Sequence, residues 1–297
     1  MMLYEAAALG AATCWALTGL ISAGPSAALG ALAFNRLRMS LVFIVLALYV
    51  ATVTGLDALP RDIALPLALS GLIGIFLGDT ALFLTLNRLG PRRTAMVFSL
   101  NAPISAILGF VFLRETLTPL QIAGILVTFA GVILAIRFGK RKSQLHQWEN
   151  VKGPLWIGIA IGLIAALSQS AGSLIARPVM ETGTDPIAAS AIRVGTAALC
   201  LWLLFLVPHR QFKPAGPVTL KLAGIVGLSG FLGMGVGMTL LLFALSGGEV
   251  GVVATLSATT PAILLPLIWW RTKEMPAPGA WVGAGLVLVG SALLFAV

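Results

Sequence analysis

The chain has 297 residues, 59% of them hydrophobic and only 10% charged, with a mean hydropathy of +1.02. A soluble domain carries about 25% charged residues and cannot hide this much apolar surface in its interior, so the surplus faces lipid. The formal net charge of +9 would suggest nucleic acid in a soluble protein. Here Lys and Arg fall mostly in short loops, and no basic patch interleaved with aromatics is present, so topology and anionic headgroups account for the charge.

A membrane-crossing helix needs about 20 apolar residues. Along the chain, ten spans are predicted near 5–23, 30–54, 63–86, 93–113, 119–137, 154–176, 187–207, 218–246, 250–270 and 277–297. The first stretch, MMLYEAAALGAATCWALTGL, lacks the positive n-region of a secretory signal and carries Glu5, so it reads as a span. The runs are long and apolar on all faces, which excludes the alternation of a β-barrel. Only RFGKRKSQLHQWENVK, residues 137–152, resembles a linker. The expected organisation is a first five-helix unit at 1–137, a basic linker at 138–152 and a second unit at 153–297. Cys14 and Cys200 sit inside apolar runs, and His146 and His209 lie in loops without partners at metal spacing. Neither a disulfide framework, a metal site nor a cofactor is expected.

The two halves repeat. LSGLIGIFLGDT at 69–80 matches LSGFLGMGVGMT at 228–239, so Gly71, Gly74, Gly78 and Thr80 recur as Gly230, Gly233, Gly237 and Thr239. Ser99 and Pro103 recur as Ser257 and Pro261, and Arg36 pairs with Arg193 at an offset of 157. Glu115, Pro119, Gly124 and Gly131 recur as Glu274, Pro278, Gly283 and Gly290, 159 positions later. In that last motif a carboxylate favours the positive end of the next helix, proline suits its first turn, and small residues permit close approach.

An odd number of spans per unit forces the second copy to enter the membrane the other way up. The charges agree: Arg88, Arg92 and Arg93 occupy loop 3–4, while loop 8–9 holds only Glu249. Conversely Arg210, Lys213 and Lys221 occupy loop 7–8, where loop 2–3 has Asp57, Arg61 and Asp62. Inverted symmetry of this kind is common in secondary transporters. The positive-inside rule places these basic loops, the linker and Arg271 and Lys273 in the cytoplasm, with both termini outside.

The ten-span layout, the duplication and the E-x3-P-x4-G-x6-G ending of each half resemble the EamA family of the drug/metabolite transporter superfamily. The resemblance covers essentially the whole chain and implies a basket of helices around a central cavity, with the last span of each half peripheral. Similar members are mostly bacterial inner-membrane exporters of amino acids and related metabolites. Family descriptions often place both termini in the cytoplasm, whereas the charges here place them in the periplasm.

Polar groups within spans are costly and face a cavity or a partner. Asp79 follows Gly78 in span three, and its repeat partner is Met238, so the shared fold does not require an acid there. It can receive a substrate ammonium or carry a coupling proton; the structural alternative is a carboxylate paired to Arg88 or Arg36. Arg36 and Arg193 can bind a substrate carboxylate, or anchor the helices and pair with acids such as Asp185. Arg38 reads as a snorkelling neighbour. Pro103 and Pro261 are candidate hinges that free a carbonyl in the preceding turn. Around them, Ser99, Asn101, Ser257 and Thr259 are candidate substrate contacts or interhelical hydrogen-bonders, with Thr260 a further hydrogen-bonding group beside Pro261. Trp15 and Thr18 in span one and Gln169 in span six complete the list; Trp15 can stack on a substrate or simply pack, and Gln169 is expensive to bury unsatisfied. The glycine-rich run from Gly224 to Gly237 lacks any phosphate-loop context and reads as close packing or a gating helix.

The leading functional expectation is an alternating-access transporter exporting amino acids or similar metabolites, with protons as a possible co-substrate at Asp79. Hydrophobic-cation efflux and sugar-phosphate or nucleotide-sugar carriage are the alternatives. No HExxH, paired carboxylates or Ser/His constellation supports an enzyme, and no ATP-binding module is visible.

Overall fold

The computed structural model describes residues 2–55, 61–113, 117–139, 151–209, 212–247, 253 and 256–295, and every regular element among them is helical. The sequence reading of Arg114, Glu115, Asp57, Arg210, Glu249 and most of the linker falls outside the described residues.

The first half contains α1 (Met2–Leu29), α2 (Ala31–Tyr49), α3 (Arg61–Ser70), α4 (Gly78–Phe98), α5 (Asn101–Leu113) and α6 (Pro119–Phe138). The second contains α7 (Leu155–Glu181), α8 (Pro186–Leu206), α9 (Leu220–Gly230), α10 (Met238–Leu245), α11 (Thr260–Thr272) and α12 (Pro278–Phe295). π-Helical segments at Gly71–Leu77 and Phe231–Gly237 join α3 to α4 and α9 to α10. They occupy the glycine runs that the two halves share, and wide helical turns of this kind are frequent near functional sites.

Among the described residues, seven helices are long and apolar enough to cross a membrane. The sequence predicted ten spans, and the difference has identifiable causes. The third predicted span continues into the fourth as Asp62–Phe98, bent at Gly90 (φ 78°, ψ 168°) ahead of Pro91. The fourth then breaks at Ser99–Leu100, because Pro103 has no N–H to donate and the Ser99 carbonyl accepts from Ala102 instead, at 3.3 Å. The ninth breaks ahead of Pro261, where the Ser257 carbonyl, left without its N–H donor, accepts from Thr260 Oγ1 at 3.0 Å instead. The tenth is a shorter apolar helix.

The halves interlock rather than sit side by side. Helix α1 packs on α9, α10 and α11 of the second half, and α7 packs on α3, α4 and α5 of the first. Helices α6 and α12 carry the repeated Pro–Gly–Gly motif and pack on each other. Pro119 and Pro278 each open their helix, and the α6 cap is Thr118, in a reciprocal box with Gln121. Gly131 lies against Gly283, Gly290 against Gly124 and Gly279 against Phe138, so the two helices run antiparallel. Helices α2 and α8 also run antiparallel: Ser40 meets Trp202, and Phe43 meets Gly195. The core between α1, α2, α8 and α10 is rich in alanine, which lets these helices approach closely.

Connections gather at one end. Asn87 donates to Ser26 O (3.0 Å), Ala215 N to Leu29 O (3.0 Å), Lys152 N to Arg88 O (2.8 Å) and Arg92 to Ala135 O (2.7 Å). At the other end Tyr4 stacks near Phe243, with ring centroids 5.2 Å apart.

Candidate functional site

The glycine runs set the site's position. Without a Cβ, Gly230 and Gly233 allow α2 to approach so closely that added Cβ atoms would lie 3.2 Å from Arg38 O and 2.9 Å from Arg38 Nη2. Their repeat partners, Gly71 and Gly74, stand in the same relation to Arg193, at 2.5 Å from its O and 3.3 Å from its Nη2. The structural counterpart of Arg193 is therefore Arg38 and not Arg36, a correction to the pairing expected from the sequence. Residues two apart on a helix point about 200° from each other, since each turn takes about 3.6 residues. Only one of the two arginines can face inward.

Arg38 is 2% exposed, and its Nη1 donates to Asp79 Oδ2 at 2.6 Å. The guanidinium also lies 4.8 Å from the Phe83 ring centroid, and Phe83 meets Phe34 edge to face. Arg38 is thus a buried ion-pair partner and not a snorkelling side chain. Nor does Asp79 pair with Arg36 or Arg88 in this structure; it is 4% exposed and held by Arg38. Taking both charges out of water is tolerable because each compensates the other.

Behind this pair opens a cavity of about 80 Å³ between the two halves. Trp15 and Thr18 from α1, Arg38 from α2, Asp79 and Thr94 from α4, Gln169 from α7 and Thr260 from α11 supply its polar groups. Leu82, Phe83, Phe98, Met234, Met238 and Leu264 make most of the remaining wall. Trp15 Nε1 is fixed by Gly233 O at 3.1 Å, and Thr18 Oγ1 by Ser229 O at 3.3 Å. The indole face and one carboxylate oxygen of Asp79 are left for the cavity. Drug-sized ligands occupy pockets of about 300–1,000 Å³, so this enclosure admits only a small solute unless the helices part.

Four sequence candidates come together here: Trp15, Thr18, Asp79 and Gln169. The others lie outside the cavity wall. Ser99, Ser257 and Thr259 donate to carbonyls of their own helices, Met96, Val253 and Leu256 respectively, at 2.7 Å each. Asn101 accepts from Ser170 Oγ through its backbone carbonyl at 2.8 Å. Pro103 and Pro261 sit beside the two helix breaks. Arg193 is buried behind Met238, donating to its Sδ at 3.2 Å; Asp185 caps α8 through Ala188 N and does not pair with it.

Arg36 sits at the loop end. It donates to Phe212 O at 2.9 Å, and its guanidinium lies 5.2 and 4.1 Å from the Trp202 and Phe205 ring centroids. These contacts tie α2 to α8 and to the loop that follows it. An Arg36→Gln variant removes two cation–π contacts worth about 0.5–1 kcal/mol each. Thermal unfolding in detergent is expected to shift down by a correspondingly small amount, while the substrate concentration for half-maximal flux stays unchanged.

Sequence reasoning missed Arg38, Phe83, Phe98 and Met234 as wall residues. The signal for Arg38 was present in its register: an offset of 155 aligns it with Arg193.

Helices long and apolar enough to cross a membrane, around a small, mainly apolar cavity between two repeated halves, fit a multi-pass membrane transporter. The EamA-like transporter family model matches residues 2–137 and 156–296, and the chain belongs to that family. Among curated proteins it is 36% identical over 69 residues to the uncharacterized transporter YyaM of Bacillus subtilis, covering 23% of each chain. It is 24% identical over 241 residues to the uncharacterized membrane protein YMR253C of Saccharomyces cerevisiae, covering 78% of this chain and 56% of that one. The match thus spans under a quarter of the first relative and little more than half of the second. A solved crystal structure superposes with TM-score 0.73 at 18% identity, covering 98% of this chain and 95% of the other, which shows the fold alone.

Proposed function

We propose that the protein is a secondary transporter that exports amino acids or similar small zwitterions across a bacterial inner membrane by alternating access. Its two repeats form ten crossings in two inverted five-helix units, with both termini periplasmic and the basic loops cytoplasmic. The antiparallel packing of α6 on α12 and of α2 on α8 supports the inversion, since equivalent helices of inverted units must run in opposite directions. The gathering of residues near 26–30, 87–93, 135–139, 152 and 212–215 at one end supports the alternation of crossings.

The observation that carries the substrate class is the Arg38–Asp79 pair at the wall of a small, mainly apolar cavity. A zwitterion matches it: the ammonium meets the free oxygen of Asp79, the carboxylate is drawn by guanidinium, and the side chain lies among Trp15, Phe83 and Phe98. The breaks before Pro103 and Pro261 and the two π-helical segments supply places where the helices can bend.

Uptake and counterflow in liposomes test this, with a panel of labelled neutral amino acids measured with and without a pH gradient. Saturable flux of several of them is expected. Stimulation by the gradient, lost in Asp79→Asn, would make Asp79 the proton carrier, and indifference to it would make the process facilitated export. Absence of flux for every amino acid would contradict the reading.

Efflux of hydrophobic cations is the second reading, favoured by the acid and the aromatic rings in one cavity. It is weaker because Arg38 already neutralises Asp79 and a second guanidinium, Arg193, lies close behind the wall.

A further inference from the structure

The repeat equivalence exposes an unfilled half-site. Arg38 and Arg193 occupy matching positions, each pressed against the paired glycines of the opposite half. Arg38 meets Asp79. At the matching place Arg193 meets Met238, whose thioether is a weak acceptor, at 3.2 Å. Arg193 is 0% exposed, and its Nε and Nη2 have no hydrogen-bond partner among the described residues. The site therefore holds two guanidiniums and one carboxylate. Asp79, already bonded to Arg38, acts on Arg193 only through space, so two buried guanidiniums share one carboxylate and a second anion is called for.

From this, and resting on the transporter reading above, we infer that Arg193 is the carboxylate subsite of the cargo and that Met238 is its displaceable cover. Met238 lines the cavity and also touches Arg193, so it stands between the two. Its unbranched side chain has three rotatable bonds and moves aside easily. An incoming carboxylate replaces a thioether with a charge-assisted, two-pronged acceptor, which is the stronger partner for a guanidinium. Asp79, at the matching place in the other half, stays with Arg38 and offers its free oxygen to the ammonium. Gln169, 7% exposed and with no hydrogen bond from its side chain among the described residues, faces the same cavity and can bridge the two ends. The inference makes a free carboxylate obligatory for recognition: an amino acid fits, whereas the corresponding amide or amine leaves Arg193 uncompensated.

The test uses Met238→Asp, which places in the second half the internal counter-ion that Asp79 supplies in the first, with Met238→Asn as its uncharged control. Thermal unfolding of purified protein is read with and without leucine, leucinamide and propionate, and leucine counterflow is read in parallel. Leucine and propionate are expected to raise the melting temperature of the wild type, and leucinamide to leave it unchanged. Met238→Asp is expected to be at least as stable as wild type without ligand, to lose both ligand-induced rises, and to lower leucine counterflow about tenfold or more, while Met238→Asn retains part of each. Arg193→Met, which removes the uncompensated charge, should fold with an unchanged or higher melting temperature and lose the same ligand responses. A merely structural arginine would lower it. Equal response to leucine and leucinamide, or an undiminished ligand response in Met238→Asp, would overturn the carboxylate subsite. If the wild type moves no amino acid but propionate still stabilises it through Arg193, the cargo assignment fails and the subsite stands; if propionate has no effect either, both fail.

Discussion

Asp79→Asn is expected to abolish most transport and to destabilise the protein at the same time. Asparagine keeps the shape of the carboxylate but leaves Arg38 buried without a counter-ion, and removing one partner of a buried pair costs about 3–5 kcal/mol. The pair is enclosed enough for that range to apply, with side-chain exposures of 2% and 6%. Hydrogen bonds to charged groups contribute about 1.5–3 kcal/mol, so losing the contact to the cargo ammonium alone should lower flux by about 10- to 100-fold. The double variant Arg38→Gln with Asp79→Asn separates the two effects. A neutral amide pair restores much of the stability, because no charge is left stranded, yet it cannot receive a zwitterion. Recovery of the melting temperature without recovery of flux is the expected pattern. Recovery of both would mean that the pair is structural only.

The second large effect is predicted at the glycine contacts, and it is unequal between repeat partners. A Cβ on Gly71 would stand 2.5 Å from Arg193 O and 2.7 Å from Arg193 Cα, both backbone atoms. Backbone cannot step aside, so Gly71→Ala must push α8 away from the π-helical segment and carry Arg193 with it. Overpacking of this kind costs about 1–3 kcal/mol. Gly230, its partner in the second half, meets Val42 Cγ2 at 2.7 Å and Arg38 Cγ at 2.9 Å before any backbone. Side chains can adjust there. Gly71→Ala should therefore lower both melting temperature and flux more than Gly230→Ala, as measured on the two purified variants side by side. Equal effects, or the reverse order, would mean that the two glycine runs do not bear on their arginines as described.

Much of this architecture is visible in the residues before any coordinates. The long apolar runs, the matched glycines and the Pro–Gly–Gly endings announce a duplicated helical membrane protein, because lipid leaves the backbone no alternative to helix within such runs. Asp79 and Gln169 stand out for the same reason: a polar side chain in an apolar run has to face something. What sequence alone could not resolve was where each hydroxyl's hydrogen bond goes. Ser99, Ser257 and Thr259 look like cavity groups, yet a serine or threonine in a helix can satisfy itself on a carbonyl three or four residues back, and these do. The two arginines of α2 were assigned the wrong way round, because repeat alignment at an offset of 157 is as easy to draw as one at 155. Only the contact of Gly230 and Gly233 with Arg38 decides between them. The two breaks in the helix ladder follow from Pro103 and Pro261, but the count of spans depends on how the chain bends at Gly90, which is a tertiary matter.

The most direct measurement is equilibrium binding of a labelled neutral amino acid to the purified protein, for wild type and for the Arg38→Gln/Asp79→Asn double variant. The double variant is expected to keep the fold and removes both charges of that pair. Saturable binding to the wild type, competed by other neutral amino acids and lost in the double variant, is the predicted result. Binding of equal strength to both proteins would place the cargo somewhere other than the cavity beside Arg38 and Asp79.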